Sequence, residues 1–182
     1  GGRSRRMGID KALIELKGEH MITRIVRQLD AHVDEVLISA REPSDYAFVG
    51  PRVVADKGVN RGPLDGISSA LEVARHEICV FVPCDLPDVP LDLIGRLLRG
   101  AAGVDVVVPV NERGQYEPLL AVYRRRVRGL IEDMLARGER KVYAVYDHCA
   151  TRRVPIGAET HLTNLNTRDE LATWVATQDK GR

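Results

Sequence analysis

Ile78-Cys79-Val80-Phe81-Val82-Pro83-Cys84-Asp85-Leu86-Pro87-Asp88 is the stretch that decides the fold class. Its unbroken apolar run stops at Pro83, as a strand buried on both faces should. A strand covered on both faces calls for helices on both sides of a largely parallel sheet. Just past the strand's carboxyl end stands Asp85, where open α/β sheets place their ligands. A carboxylate there suits Mg²⁺, which takes one or two protein carboxylates and completes its shell with phosphates and water. The flanking prolines stiffen the turn that aims it. The alternative is an aspartate that accepts turn or helix-start N–H bonds. Asp88 fits that lesser role better, because a helix begins near Pro90.

Outward from this run, strands and helices alternate. Val33 to Ser39, Arg52 to Ala55, Val104 to Val110 (with Pro109 marking its end) and Glu117 to Tyr123 read as strands, and Val142 to Val145 as a weaker one. Between them lie stripes at helical spacing: Met21, Ile22, Ile25, Val26, Leu29; then Ile67, Ala70, Leu71, Ala74; then Leu91, Ile94, Leu97, Leu98. Val127, Leu130, Ile131, Met134 and Leu135 give the cleanest pattern, with Gly138 as its stop. Thr167-Arg168-Asp169-Glu170 is a capping box that opens a last helix through Leu171, Trp174 and Val175. With no repeat, linker or low-complexity tract, residues 1–182 are expected to form one domain. The charged loop opening at Gly1-Gly2 is of the kind that follows a buried strand. A short apolar strand is therefore expected upstream of Gly1, without which the sheet would lack a central member and expose apolar side chains at the gap.

Composition narrows the class. An apolar share of 44% with 29% charged residues belongs to a globular chain, and a net charge of +1 gives no bulk attraction to nucleic acid or membrane. No apolar run approaches the roughly 18–20 residues that span a bilayer, and no signal-peptide pattern is present. Cys79, Cys84 and Cys149 are odd in number and lack C-x₂-C spacing; Cys79, in an apolar run, reads as a buried thiol. A reducing cytoplasm fits. The five histidines form no H-x-x-x-H pair, and no G-x-S-x-G elbow appears, so direct phosphoryl chemistry fits better than a covalent nucleophile.

Four loops carry candidate chemistry. In Gly1-Gly2-Arg3-Ser4-Arg5-Arg6-Met7-Gly8-Ile9-Asp10-Lys11, the glycines let backbone N–H groups cup a phosphate, and Arg5, Arg6 and Lys11 supply neutralising charge. The spacing is not that of a P-loop, and a solvated basic turn is the competing reading. In Asn60-Arg61-Gly62-Pro63-Leu64-Asp65-Gly66, Gly62 and Gly66 bracket a helix start that presents free N–H groups to an anion. Asp56, at its strand's end, either meets a ribose hydroxyl or caps a loop. Asn164 and Asn166 alternate on an extended segment and face one side, for a metal shell, a second substrate or a helix cap. Arg140 and Lys141 form a basic pair after a helix that either receives a phosphorylated acceptor or is simply solvated.

Taken together, Gly-Gly-x-x-x-Arg-Met-Gly-x-Asp-Lys, Gly-Pro-Leu-x-Gly, Pro-Cys-Asp-Leu-Pro, Glu-Pro-Leu-Leu-Ala-Val-Tyr and Asn-Leu-Asn-Thr resemble the molybdenum cofactor guanylyltransferase family, from Gly1 to about Trp174. The resemblance implies a Rossmann-like, three-layer nucleotidyltransferase fold, with a mostly parallel sheet and helices on both faces. It also implies transfer of GMP from GTP to molybdopterin carrying molybdenum, with release of pyrophosphate. By the same resemblance Gly1, Gly2, Arg3, Asp56, Gly62 and Gly66 belong to the nucleotide pocket, Lys11 and Arg6 serve the phosphates, and Asp85 binds Mg²⁺. Arg140, Lys141, Asn164 and Asn166 fall on the acceptor side, and transient cofactor-delivery proteins are plausible partners for a labile pterin.

The family carries Leu-Ala ahead of its two glycines, and some members carry asparagine around Ser39-Ala40-Arg41; neither feature is present here. Cytidylyltransferases acting on the same pterin share the fold but tend to show Ala-Ala-Gly and Asp-Gln-Pro. Gly1-Gly2 and Cys84-Asp85-Leu86-Pro87 favour the guanylyl reading. A catalytically silent nucleotide-binding module is the alternative from another class, and the joint presence of Lys11 and Asp85 speaks against it.

Overall fold

Alternation within single strands sets the layers. The computed structural model describes residues 10–58, 62–157, 160, 162–165 and 167–179. In β6 (Val106–Asn111), Val106 and Val108 point into one core with Leu64, Ile67, Leu71, Ile131 and Tyr123. Val107 points the opposite way, into a second core with Met21, Ile94, Leu97, Leu165 and Trp174. Period-2 side chains that are apolar on both faces require a helical layer on each. Helices α1 (Met21–Asp30), α3 (Leu91–Arg99) and α5 (Arg168–Asp179) cover one face, and α2 (Pro63–Val73) with α4 (Val127–Ala136) covers the other.

The central sheet runs β5-β7-β6-β8, with β5 at Ile78–Phe81, β7 at Ala121–Arg124 and β8 at Thr151–Ile156. β6 and β8 pair parallel from Val106↔Thr151 to Asn111↔Ile156, while β7 lies antiparallel between β5 and β6. A second parallel pair joins β3 (Leu37–Ala40) to β4 (Arg52–Ala55). Ahead of these, β1 (Glu15–Leu16) and β2 (Glu19–His20) form a hairpin. Its two-residue turn puts Lys17 and Gly18 both at positive φ (52° and 82°), the geometry whose twist matches antiparallel strands. No ladder joins β3 to β5 among the described residues. A cleft of about 950 Å³ is lined by both strands, by Ile22, Ile25 and Val26 of α1, and by Ile67 and Ala70 of α2.

Several sequence expectations hold to the residue. Gly138 ends α4 at φ 87°, with its N–H on the Leu135 carbonyl and the Glu139 N–H on Met134, a full Schellman stop. The capping box closes reciprocally: Thr167 Oγ1 accepts the Glu170 N–H at 3.1 Å, and Glu170 Oε2 accepts the Thr167 N–H at 2.8 Å.

Others are corrected. Residues 142–145, expected as a strand, belong to a 3-10 helix, Val142–Asp147, that buries Val142, Val145 and Tyr146 at i, i+3, i+4. The β-branched residues there serve a helical face. Pro109 does not end its strand, which continues to Asn111; β7 pairs with β6 only at Val106 and Val107, so the proline lies past that ladder. The strand expected from Glu117 begins at Ala121, because Pro118 sits in a turn closed by the Leu120 N–H on the Glu117 carbonyl. β8 was not anticipated. It is an exposed edge strand carrying Arg152, Arg153 and Pro155, residues that blunt an edge and hide its periodicity. Cys79 is half-buried, with its thiol pushed up to about 11 by burial and then by Glu35.

Candidate functional site

Asp85 stands in the turn that follows β5, and its carboxylate Oδ2 accepts from Lys11 Nζ at 3.1 Å. The lysine comes from the far end of the sequence, on a one-turn 3-10 helix, Lys11–Leu13. Both side chains are mostly covered, at 15% and 22% exposure. The pair is therefore less screened than a surface ion pair. Burial and then the Asp85 charge hold the Glu117 carboxyl above the usual carboxylate range. Burial likewise pushes the Cys84 thiol up, which keeps it protonated at neutral pH.

The Asp85 turn is pinned from α1 and α5. Arg24 Nε and Gln28 Nε2 both donate to the Pro87 carbonyl, at 2.8 and 3.0 Å, and Gln28 Oε1 accepts the Val89 N–H. Asp88 caps no helix. Its two oxygens accept from Arg24 Nη2 at 2.7 Å and Trp174 Nε1 at 2.9 Å, and the guanidinium lies over the indole ring. This overturns its expected helix-start role: α3 begins at Pro90 with no side-chain cap. Arg24, Gln28 and Trp174 were not foreseen. The only local trace is Arg24 and Gln28 at i, i+4 on α1. On the other side of the turn the Asp85 carbonyl accepts the N–H of Leu165, which is fully buried, so the backbone next to Asn164 is tied to this turn.

A second group forms where β3, β4 and α2 meet. Ser39 Oγ donates to Asp56 Oδ1 at 2.6 Å, and the Asp56 N–H bonds the Ala40 carbonyl at 3.0 Å. Gly62 precedes Pro63 at φ 68°, a left-handed conformation that favours glycine. Buried Asp65, which the sequence reading assigned no role, accepts the Gly58 N–H at 2.7 Å and so ties Gly58, just past β4, to the helix start.

Gly66 has a different reason to be glycine. A Cβ there would lie 2.8 Å from Ser39 Oγ and 3.3 Å from Asp56 Oδ1. Gly66→Ala gains about 1 kcal/mol of helix propensity. It must also break the Ser39–Asp56 bond or push α2 outward, at about 1–3 kcal/mol. A net loss of up to about 2 kcal/mol is expected in denaturant unfolding; a gain in stability would show that the close approach carries no weight.

Lys11, Asp56, Gly62, Gly66 and Asp85 all border the same cleft, together with Ser39, Gly58 and Asp65. Gly1, Gly2, Arg3, Arg6 and Asn166 lie outside the described residues. Arg140 and Lys141 stand apart. Arg140 Nη1 donates to the Leu135 and Glu139 carbonyls at the end of α4, and Lys141 Nζ lies 5.8 Å from the Tyr143 ring centroid. The Arg140 backbone does come near the cleft, its carbonyl 3.6 Å from where a Gly62 Cβ would stand.

The described residues hold no group of three or more His, Cys, Asp or Glu able to enclose a metal by themselves. The donor chemistry fits a hard cation shared with a substrate: the Asp85 carboxylate borders the cleft, on a turn whose backbone is tied to the segment that carries Asn164.

A family model described as the MobA-like NTP transferase domain matches residues 1–153. The chain is 36% identical to a molybdenum cofactor guanylyltransferase of Burkholderia vietnamiensis, over 94% of this chain and 90% of that protein. It is 32% identical to the protein of the same name in Vibrio cholerae, over 97% of this chain and 88% of that protein. Among solved structures, molybdopterin-guanine dinucleotide biosynthesis protein A from Archaeoglobus fulgidus superposes with a TM-score of 0.82 at 24% identity, covering 99% of this chain and 96% of that one. A 2-C-methyl-D-erythritol 4-phosphate cytidylyltransferase from Thermus thermophilus gives 0.70 at 15% identity, covering 93% and 94%. These two likenesses show a shared nucleotidyltransferase fold.

Proposed function

This chain belongs to the MobA-like NTP transferase domain family, and from that premise we propose that it transfers GMP from GTP to molybdopterin, releasing pyrophosphate. The observation that carries the reading is the Lys11–Asp85 pair at 3.1 Å, set at the mouth of a cleft that Asp56, Gly62 and Gly66 also line. A cation and a carboxylate placed together at a strand end suit a metal-bound triphosphate. The names of relatives aligned over most of the chain supply the nucleotide and the acceptor.

In this reading the acceptor's terminal phosphate oxygen attacks the α-phosphorus of GTP. A new P–O bond forms as the bond to the β-phosphate breaks, and pyrophosphate leaves with the electron pair. No general base is required, because a phosphate nucleophile is already ionised at neutral pH. Lys11 places positive charge at the phosphates, and Arg6 is proposed to add to it. Asp85 and Asn164 would hold Mg²⁺, which offsets charge developing on the leaving group. Gly62 stands at the cap just ahead of α2, whose N-terminal turn borders the cleft and offers its free N–H groups and dipole there. Arg140 and Lys141 are proposed for the acceptor side, where Arg140 must first release its helix-end carbonyls. The reaction is proposed to run in the cytoplasm, with transient cofactor-delivery proteins as partners. No described helix is long and apolar enough to cross a membrane.

The test is transfer to molybdopterin with GTP, CTP or ATP at equal concentration, following pyrophosphate release and the dinucleotide product with and without Mg²⁺. GTP is expected to win by at least about 100-fold, the discrimination that buried hydrogen-bonding groups provide. Preference for CTP would make the chain a cytidylyltransferase. Nucleotide binding without pyrophosphate release would make it a silent module.

A further inference from the structure

Lys11 sits on a single 3-10 turn, and so short a helix has little stability of its own. Its start is fixed by Asp10, whose Oδ1 accepts the Ala12 N–H at 3.0 Å while its carbonyl accepts the Leu13 N–H at 3.2 Å. The other carboxylate oxygen, Oδ2, accepts from the hydroxyl of Tyr46 at 2.5 Å, from a residue 36 positions away. Tyr46 belongs to the 3-10 segment Pro43–Val49, is 4% exposed, and packs with Ala12, Ile22, Ile38 and Ala40 in a small separate core. Its ring is thus held by β3 and α1, and its hydroxyl is the buried end of a relay that runs through Asp10 to the turn. Burial, and then the bond to Asp10, raise the Tyr46 phenol far above its ordinary range, so it remains a donor throughout the working pH.

We propose that Tyr46 is a positioning residue for Lys11: its hydroxyl locks the Asp10 carboxylate, which fixes the turn that carries the lysine to Asp85. Lysine has a long flexible stem, so the ammonium is pre-placed only as well as the backbone that bears it. Without the hydroxyl, Asp10 can rotate off the Ala12 N–H, and Lys11 samples positions away from the phosphates. Misplacement on this scale acts on the reaction step more than on binding. Tyr46 would never touch the nucleotide. The catalytic part of the inference rests on the GMP-transfer reading; the geometric part does not.

Tyr46→Phe removes one oxygen and keeps the buried ring. The first readout is acylation of lysines by an N-hydroxysuccinimide ester, located by peptide mass mapping. Lys11 labelling is expected to rise about fivefold, as a hydrogen bond's worth of restraint is lost, while Lys57 and Lys141 label as before. In GMP transfer, kcat is expected to fall about tenfold with the KM for GTP changed less than about twofold. In a Lys11→Ala background the same change should cost nothing further. Unchanged Lys11 labelling in Tyr46→Phe overturns the proposal, and so does an equal rise at all three lysines, which reports a loosened fold. If the wild-type protein transfers no GMP, the functional reading fails by itself and the labelling still decides the role of Tyr46.

Discussion

Asp85→Ala is expected to lower GMP transfer at physiological Mg²⁺ by about three orders of magnitude, the loss typical when a preorganised electrostatic group at the reacting phosphates is removed. The fold should survive. What ties this turn to the rest of the protein is the Asp85 carbonyl on the Leu165 N–H, the Pro87 carbonyl under Arg24 and Gln28, and Asp88 between Arg24 and Trp174; none of these uses the Asp85 side chain. Losing the carboxylate leaves the Lys11 ammonium, 15% exposed, without this counter-charge. The variant should therefore still bind GTP in the absence of Mg²⁺, since more positive charge then faces the triphosphate. Transfer kinetics over a Mg²⁺ series, beside a thermal melt and Mg²⁺-free GTP titration, make the check. Near-normal turnover in a folded variant would end the metal assignment.

The parts of this site that could be read in advance are those with a local signature. The Ile78–Phe81 run announced a strand, and strand-end position alone drew attention to Asp85. Burial on both faces, expected from the same run, is not what the structure shows: among the described residues β5 lies at the edge of the central sheet, with Ile78 exposed and Cys79, Val80 and Phe81 half-buried. Gly138 and the Thr167–Glu170 box were legible because their partners lie within five residues. The supports of the site have no such signature. Trp174 reaches Asp88 across 86 residues and Tyr46 reaches Asp10 across 36, and in sequence each looks like an ordinary apolar position. Gly66 was noticed, but as an opening for an anion rather than as room for the Ser39–Asp56 bond. Residues 142–145 failed for the opposite reason: valine and tyrosine carry strand propensity, and burial at helical spacing overrode it.

Lys11→Ala is the second large effect, expected at about 10²- to 10³-fold in the rate of transfer with saturating GTP. The Lys11 ammonium is 3.1 Å from the Asp85 carboxylate, whose charge also reaches Glu117. Removing the cation takes positive charge from the corner where a triphosphate must enter and leaves the Asp85 carboxylate without it, so part of the loss should appear in GTP affinity and part in kcat. Raising Mg²⁺ should recover the binding part, because added divalent charge offsets the bare carboxylates. It should not recover kcat, because a more fully occupied metal does not replace an ammonium aimed at a different phosphate oxygen. Lys11→Arg separates charge from placement: the planar guanidinium keeps the charge but has a different reach and donor geometry, so partial recovery is expected. The decisive measurement is single-turnover transfer at saturating GTP and Mg²⁺. A Lys11→Ala rate equal to wild type there would confine the lysine to holding Asp85 in place, and the phosphate role would pass to the arginines of the N-terminal loop.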